Sequence, residues 1–277
     1  MNVKRSIPTL LLLAATLAAL LSFPAMAMTP AVSARHAILL DGNTGEILFE
    51  KDADTPAPMA STTKIMTALA VLSCLSPSDA VCVPKEAVGI EGTSAYLKEG
   101  EIFSVADLLH ALLLQSANDA AVALALTADG SVAAFAERMN RLAREIGLKS
   151  SHFENPHGLH SETHYTTARD LATLTAYAMH IPAFSEIVSK RIYTCHSSLS
   201  RHTFANHNKL LHMSKDAVGV KTGFTKDSGR CLVGAAERDG SLLISVTLRA
   251  PDDWRDHLNL WRFGFSLLGI PPREEAR

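Results

Sequence analysis

The chain shows two kinds of hydrophobic pattern, one typical of strands near its two ends and one typical of helices in between. Residues 36–40 and 46–50 flank the turn sequence Asp-Gly-Asn-Thr-Gly and predict a β-hairpin. Residues 219–225, 230–236 and 242–248 are apolar or alternating and are separated by Gly-containing turns. They predict three further antiparallel strands.

Helical spacing of apolar residues dominates the region between these strands. Ser104 and Asp107, like Thr167 and Asp170, have the spacing of a capping box, in which two side chains at a helix start bond to each other's backbone. The pattern predicts helices over about 62–75, 104–114 and 119–128, between Ser131 and Gly147, from Thr167 to a stop at Pro182, and over 254–268, with a short strand near 80–83.

Strands at both ends of a chain with helices between them indicate a sheet assembled from both ends. We expect an α/β (α+β) protein whose antiparallel β-sheet comes from about 35–50 and 215–250. Helices flank this sheet, and a helical subdomain is formed by about 60–190. A cleft between the sheet and the helical region is the expected place for a functional site.

The first 27 residues have the three parts of an export signal. Lys4 and Arg5 form a positive start, 7–21 an apolar stretch, and Ala-Met-Ala at 25–27 a small-residue cleavage site. We expect cleavage there, which leaves a mature domain of 28–277 outside the cytoplasm. An uncleaved membrane anchor is the alternative, but the apolar run is short. No later stretch approaches the roughly 18 consecutive apolar residues of a transmembrane helix.

The composition is that of a globular protein with little net charge. Lys and Arg number 26 against 28 Asp and Glu, a formal charge of −2. Such a chain lacks the positive charge that a nucleic-acid backbone requires, so we expect no nucleic-acid partner. Export to an oxidising compartment would permit a disulfide such as Cys74–Cys82. Four cysteines are nevertheless too few for a disulfide scaffold. Bridged and free states of Cys74, Cys82, Cys195 and Cys231 therefore both remain open.

Three short motifs carry the candidate chemistry: Ser-Thr-Thr-Lys at 61–64, Ser-Ala-Asn at 116–118 and Lys-Thr-Gly at 221–223. Ser61 stands at a helix start, where unpaired N–H groups and the helix dipole favour a nucleophile that develops negative charge. Lys64 lies one helical turn later and can take the proton of the hydroxyl if burial and a second cation lower its pKa. Lys221 is the candidate second cation.

The other motif residues complete a plausible binding cleft. Ser116 and Asn118 alternate on a turn between two helices, so we expect both side chains to face the cleft, with the hydroxyl relaying protons. On the predicted strand, Lys221 and Thr222 suit a substrate carboxylate. Gly223 would allow the substrate backbone to approach closely.

These motifs, with the neighbouring sequences Asn-Pro-His-Gly-Leu at 155–159 and Phe-Thr at 224–225, resemble serine-type D-alanyl-D-alanine carboxypeptidases, the low-molecular-weight penicillin-binding proteins. The resemblance covers about 35–268 and implies that 28–277 is a catalytic domain without metal or cofactor. It implies acylation of Ser61 by peptidoglycan stem peptides, release of the terminal D-Ala and hydrolysis by water.

The same resemblance implies a role for each matching residue. Lys64 is the implied base, Ser116 the proton shuttle to the leaving amine, and Asn118 a ligand of the substrate amide. The backbone N–H groups of Ser61 and Phe224 are the implied oxyanion hole. β-Lactams are the implied covalent inhibitors.

Two features depart from the family pattern. Ala117 stands where these carboxypeptidases usually have Gly, a small change between two retained side chains. The sequence also ends at Arg277, whereas many relatives continue into a β-rich domain and an amphipathic membrane-binding helix. We therefore do not expect membrane attachment by that route.

Several other functions remain as alternatives. A peptidoglycan endopeptidase or transpeptidase shares all three motifs, and a non-catalytic penicillin-binding sensor shares the fold. A class A β-lactamase is disfavoured because the Glu-x-x-Leu-Asn pattern of its deacylating base is missing. A zinc protein is suggested by the loosely spaced His152, His157, His160 and His164.

Four residues near the C-terminal helix have less specific interpretations. Arg249 and Arg255 could add positive charge for a substrate carboxylate, but surface solvation is the preferred reading. Trp254 and Trp261 are expected to anchor the core rather than to contact a ligand.

Overall fold

The computed structural model describes residues 29–273, so the predicted export signal lies outside the described residues. Its main feature is a five-stranded antiparallel sheet in the order β2-β1-β9-β8-β7. The sheet strands are β1 (His36–Asp41), β2 (Ile47–Lys51), β7 (Ala217–Thr225), β8 (Gly229–Arg238) and β9 (Ser241–Leu248). Two small two-stranded antiparallel sheets pair β3 (Ala80–Cys82) with β4 (Ile102–Ser104) and β5 (Ile192–His196) with β6 (Arg201–Ala205).

Most helices lie, in sequence, between the N-terminal strands β1 and β2 and the C-terminal strands β7 to β9. A 3₁₀ turn, Ala60–Thr63, runs directly into the first helix, and a second 3₁₀ turn is Lys85–Ala87. The α-helices are α1 (Lys64–Leu72), α2 (Val105–His110), α3 (Asn118–Asp129), α4 (Val132–Ile146), α5 (Ala168–Met179), α6 (Pro182–Val188), α7 (Leu210–Met213) and α8 (Asp253–Leu267).

The sheet separates two hydrophobic cores. On one face α8 inserts Trp261 and Phe265 among side chains of β1, β8 and β9. On the other face α5 packs on β1 and β9, and the larger core continues into α1, α3 and α4. All six residues of β1 are buried because this strand is covered on both faces. The predicted class, an antiparallel sheet flanked by helices, is confirmed.

Local capping explains where several helices begin. Ser104 and Asp107 form the complete predicted capping box at the start of α2. At α5 only half of the predicted box exists: the Thr167 hydroxyl accepts the Asp170 N–H, but the Asp170 carboxylate binds elsewhere. It accepts hydrogen bonds from Lys149 N, Ser150 N and Ser151 Oγ, and so ties the preceding loop to the helix.

Other details of the predicted elements need correction. The helix expected over 62–75 starts as the 3₁₀ turn at Ala60 and ends at Leu72. The helix expected over 104–114 ends in a π-helical turn, Ala111–Gln115. Pro182 begins α6 as well as ending the preceding helix, because proline fits the first helical position.

Within the described part of the chain, the helices are too short to cross a membrane singly, and the cysteines are unbridged. Among residues 29–273 no single helix is long and apolar enough to cross a membrane, although α3 and α4 together, bent by 85°, satisfy the length and composition criteria. None of the four cysteines is paired: Cys74 and Cys82 are exposed, and Cys195 and Cys231 are buried as free thiols.

Candidate active site

Ser61 lies in the 3₁₀ turn at the edge of the sheet, beside strand β7. The turn is held by its own side chains, because the hydroxyls of Thr62 and Thr63 donate to the carbonyls of Met59 and Ala60 at 2.6 and 2.7 Å. Ala60 has a φ of 47°, an uncommon value for a residue with a Cβ atom. The local sequence therefore holds the serine in a tight, hydrogen-bonded turn.

A buried histidine supports this turn from behind. His164 Nδ1 accepts the Glu154 N–H at 3.0 Å, so Nε2 carries the proton and donates to Thr63 Oγ1 at 2.7 Å. Burial lowers the pKa of His164 to about 4, which keeps the ring neutral near pH 7.

Lys64 is completely buried, and its amine has three oxygen neighbours. Nζ lies 3.0 Å from Ser61 Oγ, 2.7 Å from Asn118 Oδ1 and 2.8 Å from the His157 carbonyl. A neutral amine has two N–H groups and one lone pair. The amide and carbonyl oxygens can only accept, so they take both N–H groups and leave the lone pair for the Ser61 hydroxyl.

The surroundings of Lys64 favour this neutral form. Burial is the main cause that lowers its pKa well below the ordinary lysine value, and the positive charge of Lys221 acts in the same direction. The negative charge of Asp119 opposes both effects. The predicted influence of Lys221 on Lys64 is present in the structure.

Lys221 is itself buried on β7, with 1% of its surface exposed. Its amine donates to the Thr222 carbonyl at 3.0 Å. Burial lowers the pKa of Lys221 to about 7. Near neutral pH this amine therefore exists in both charged and neutral forms, and a bound anion would favour the charged one.

Ser116 and Asn118 follow the π-helical turn, where the chain reverses into α3. Ser116 adopts left-handed backbone angles, φ 65° and ψ 32°, a conformation with an energetic cost for serine. Asn118 is fixed by its own hydrogen bonds: Nδ2 donates to the Glu91 carbonyl at 2.6 Å, and the backbone N donates to Thr93 O at 2.7 Å. These bonds identify the atom facing Lys64 as the amide oxygen.

The glycine of the Lys-Thr-Gly motif allows a close contact that the sequence did not predict. A Cβ atom at Gly223 would lie 3.1 Å from Met59 O, 3.1 Å from Ser61 N and 3.2 Å from Thr62 N. The missing side chain thus lets β7 pack on the backbone of the 3₁₀ turn. This contact joins the strand motif to the serine before any substrate binds.

A cavity of about 250 Å³ opens beside Ser61. Ser116, Thr222, Gly223 and Phe224 line it as predicted. Phe224 is 67% exposed, so its ring stands at the cavity mouth. Five lining residues were not predicted as site residues: Thr93, His207, Arg230, Asp253 and Trp254.

Trp254 corrects an expectation, because it lines this cavity instead of only anchoring the core. The Arg230 guanidinium lies 5.9 Å from its ring and binds Asp253 at 3.0 Å. Arg249 and Arg255 are exposed and do not line the cavity, in agreement with their preferred interpretation. Arg230, at the start of β8, places a cation at the cavity wall. No sequence motif marks this residue.

Three of the four clustered histidines, His152, His157 and His164, use ring nitrogens for contacts with nearby backbone or side-chain atoms. His157 Nδ1 accepts the Leu159 N–H at 3.1 Å, His152 Nδ1 lies 2.7 Å from the Thr163 carbonyl, and both nitrogens of His164 are bonded. Within residues 29–273 no group of three or more His, Cys, Asp or Glu side chains could hold a metal ion. The described residues therefore offer no set of ligands for the zinc site considered as an alternative.

A serine whose hydroxyl meets a buried lysine one turn later, beside an edge strand carrying Lys-Thr-Gly, is typical of acyl-serine enzymes of the penicillin-binding and β-lactamase-like class. Comparison with known proteins narrows the class. A family model described as D-alanyl-D-alanine carboxypeptidase matches residues 24–252, and the chain belongs to this family of serine peptidases.

Individual relatives agree with this family. The chain is 34% identical to a D-alanyl-D-alanine carboxypeptidase of Streptomyces sp. strain K15, over 96% of this chain and 100% of that protein. It is 36% identical to the carboxypeptidase DacC of Escherichia coli, over 89% of this chain and 65% of the relative. It is 31% identical to DacF of Bacillus subtilis, over 78% and 57% respectively. The chain thus spans less than two thirds of the last two relatives.

Solved structures show the same fold. The Streptomyces K15 DD-transpeptidase superimposes with a TM-score of 0.82 at 32% identity, covering 86% of this chain and 99% of that one. A D-alanyl-D-alanine carboxypeptidase of Mycobacterium tuberculosis gives a TM-score of 0.82 at 29% identity, covering 88% and 94%. The predicted family, fold and serine carboxypeptidase class are confirmed.

Proposed function

We propose that Ser61 is the nucleophile that removes the terminal D-Ala from peptidoglycan stem peptides. The observation that carries this proposal is the 3.0 Å contact between Ser61 Oγ and the buried amine of Lys64. Neutral Lys64 takes the hydroxyl proton while Oγ attacks the carbonyl of the penultimate D-Ala. The peptide bond then breaks, and the leaving amine of the terminal D-Ala takes up a proton.

The remaining motif residues have separate roles in this proposal. Ser116 relays the proton from Lys64 to the leaving amine, and Asn118 binds the substrate amide. The backbone N–H groups of Ser61 and Phe224 stabilise the oxyanion, a contribution of about 3 kcal/mol for each donor in comparable sites. Lys221 and Thr222 bind the terminal carboxylate. Water then attacks the acyl-Ser61 ester and releases the shortened peptide.

The proposal also covers compartment and inhibitors. Peptidoglycan lies outside the cytoplasm, so the enzyme acts there, after removal of the leader predicted at 1–27. β-Lactams mimic the D-Ala-D-Ala end and acylate the same serine. The proposed reaction assigns no step to a metal or cofactor.

A transpeptidase is the second candidate, and one comparison favours it. The Streptomyces K15 structure, covered over 99% of its length, is that of a DD-transpeptidase. The two reactions share acyl-Ser61 and differ only in whether water or an amine accepts the acyl group. An assay containing a glycine or diamino-acid acceptor separates them, because a transpeptidase makes a new peptide bond from the same acyl-enzyme.

The deciding experiment measures D-alanine release from an acylated Lys-D-Ala-D-Ala peptide by residues 28–277. Ser61→Ala should abolish release, and Ser78→Ala, at an exposed loop position, should leave it unchanged. EDTA should have no effect. Penicillin labelling of the wild type without D-alanine release would reject the carboxypeptidase in favour of an endopeptidase or a sensor. Release that EDTA stops would reject the serine mechanism.

A further inference from the structure

An irregular segment, residues 91–97, crosses over the start of α3 and contacts the proposed catalytic groups. Its carbonyls at Glu91 and Thr93 bind the side-chain and backbone nitrogens of Asn118 at 2.6 and 2.7 Å. A Cβ atom at Gly92 would lie 2.8 Å from Asn118 Nδ2, so the segment presses directly on the amide. The orientation of Asn118 is therefore set by the position of this segment.

The carboxylate of Asp119 holds the 91–97 segment in place. It accepts hydrogen bonds from Ser94 Oγ at 2.6 Å, Ala95 N at 3.0 Å and Leu97 N at 3.1 Å. Asp119 is 1% exposed, and hydrogen bonds to a buried carboxylate are stronger than those to neutral groups. Gln115 adds a fourth tie, because its Nε2 donates to the Ser94 carbonyl at 2.7 Å.

We propose that Asp119 is a positioning residue for the proposed base Lys64. It fixes the 91–97 segment, the segment orients the Asn118 amide, and the amide oxygen binds Lys64 Nζ at 2.7 Å. The same segment contributes Thr93 to the wall of the cavity, so Asp119 also shapes the substrate side of the site. This inference rests on the proposed role of Lys64 in acylation of Ser61.

Besides positioning the 91–97 segment, Asp119 acts on Lys64 through its negative charge. The charged or titratable groups that influence the Lys64 amine are Lys221 on β7, Asp119 on α3 and the ring of His157 in the adjoining loop. Asp119 raises the pKa of Lys64, against burial and Lys221. Removing its charge therefore lowers that pKa further, as does losing the Asn118 contact to the charged amine.

Asp119→Asn tests the inference in the full mature chain. The nitrogen that replaces Oδ2 cannot accept the Leu97 N–H, and the remaining neutral oxygen accepts the Ala95 N–H more weakly than a carboxylate does. The segment is therefore held less firmly. We expect acylation of Ser61 by a fluorescent penicillin to slow on the order of 100-fold at the pH plateau, the effect of misplacing a catalytic group. The acid limb of its pH profile, which reports deprotonation of Lys64, should move to lower pH.

Three further variants separate positioning from general loss of structure. Asp119→Glu keeps the charge and should return the acid limb towards its wild-type position. Asp129→Asn removes a carboxylate at the far end of the same helix, where it binds Arg138 at 2.6 Å, and should leave both rate and limb unchanged. Ser94→Ala removes one donor to Asp119 without changing charge. It should slow acylation several-fold and shift the limb less than Asp119→Asn does.

The outcomes decide the inference independently of the reaction type. If Asp119→Asn and Asp129→Asn lose the same small amount of activity, or if the limb of Asp119→Asn does not move, the positioning role is wrong. If Asp119→Asn does not fold, an unchanged rate in Ser94→Ala overturns the role of the segment. Wild-type protein that is labelled at Ser61 but releases no D-alanine contradicts the carboxypeptidase proposal while leaving this test fully readable.

Discussion

Lys64 and Lys221 are both buried, and burial lowers the pKa of each amine. Burial lowers the pKa of Lys64 first, and the charge of Lys221 lowers it further. Lys221 has a pKa of about 7 and stands on the strand that would hold the substrate carboxylate. An anion bound there would stabilise charged Lys221, which in turn would keep Lys64 neutral. In the proposed reaction, substrate binding would thus prepare the base.

Replacing Lys221 with an uncharged side chain of similar length should reverse this preparation. In Lys221→Met the neighbouring positive charge is lost, so the pKa of Lys64 rises towards its ordinary value. We expect penicillin acylation to slow by about tenfold or more at pH 7, and its acid limb to move to higher pH. The direction is opposite to that expected for Asp119→Asn.

The measurement is the pH dependence of acylation by stopped-flow fluorescence. Lys226→Met, at an exposed position on the turn after β7, is the matched control and should behave as wild type. An acid limb that stays in place in Lys221→Met would show that Lys221 does not influence the protonation of Lys64.

The motif residues were predictable from sequence because each lies within a short pattern with its own chemistry. Ser61 and Lys64 are three residues apart, so any helical turn brings them together. His207, Arg230 and Trp254 were missed because they reach the cavity from three separate elements, with no local spacing that relates them. Gly223 was identified as a site residue, but its contact with the serine turn required the tertiary structure.

At the scale of elements, the proposed oxyanion hole depends on the close approach of β7 to the 3₁₀ turn. Gly223→Ala should separate the two, because its Cβ would lie 3.1 Å from both Met59 O and Ser61 N, and main-chain atoms cannot rotate away. The N–H groups of Ser61 and Phe224 would then lose the spacing that the proposed oxyanion hole requires. We expect acylation to fall on the order of 100-fold, with a smaller effect on thermal stability.

Second-order acylation rates and melting temperatures measured on the same samples check this. Gly240→Asn is the control, since its Cβ meets nothing within 4 Å and Asn tolerates the φ of 79°. Equal rates for Gly223→Ala and wild type would contradict the proposed packing.

Elements with a clear hydrophobic pattern were predicted well, whereas elements that bury few residues were missed. β8 and β9 have six consecutive buried residues each, so their apolar runs were visible in the sequence. The hairpin of β5 and β6 was missed because each strand buries one residue of five, which leaves no hydrophobic pattern. At α5 the capping sequence gave the helix start correctly, while the Asp170 contacts depend on a distant loop.

For the whole molecule, buried neutral histidines make stability depend on pH. His257 is completely buried between β9 and α8, with its nitrogens 2.7 Å from Ser245 Oγ and 3.0 Å from Thr247 Oγ1. Burial lowers its pKa to about 3, from 6.5 in the unfolded chain. The unfolded chain therefore binds a proton that the folded one does not, between these two values. Stability is complete above pH 6.5 and declines as the pH falls towards 3.

This effect predicts a specific change in His257→Gln. Between pH 7 and pH 5 the ring should account for about 2 kcal/mol of the free energy of unfolding that the wild type loses. The variant is less stable at pH 7 but should show a shallower pH dependence. Urea unfolding at both pH values measures it, with exposed His212→Gln as the control. Parallel pH slopes for His257→Gln and wild type would contradict a neutral buried ring.

The pairing of β1 with β9 also has a consequence for how the protein is made. Synthesis proceeds from the N-terminus, so β1 leaves the ribosome long before its partner strand exists, with six side chains that the finished fold buries. The sheet can close only after the C-terminal strands have been translated. Gly223 cannot pack on the serine turn before that point. A nascent or truncated chain that contains Ser61 and Lys64 but lacks β7 therefore has the proposed reactive residues without an assembled site.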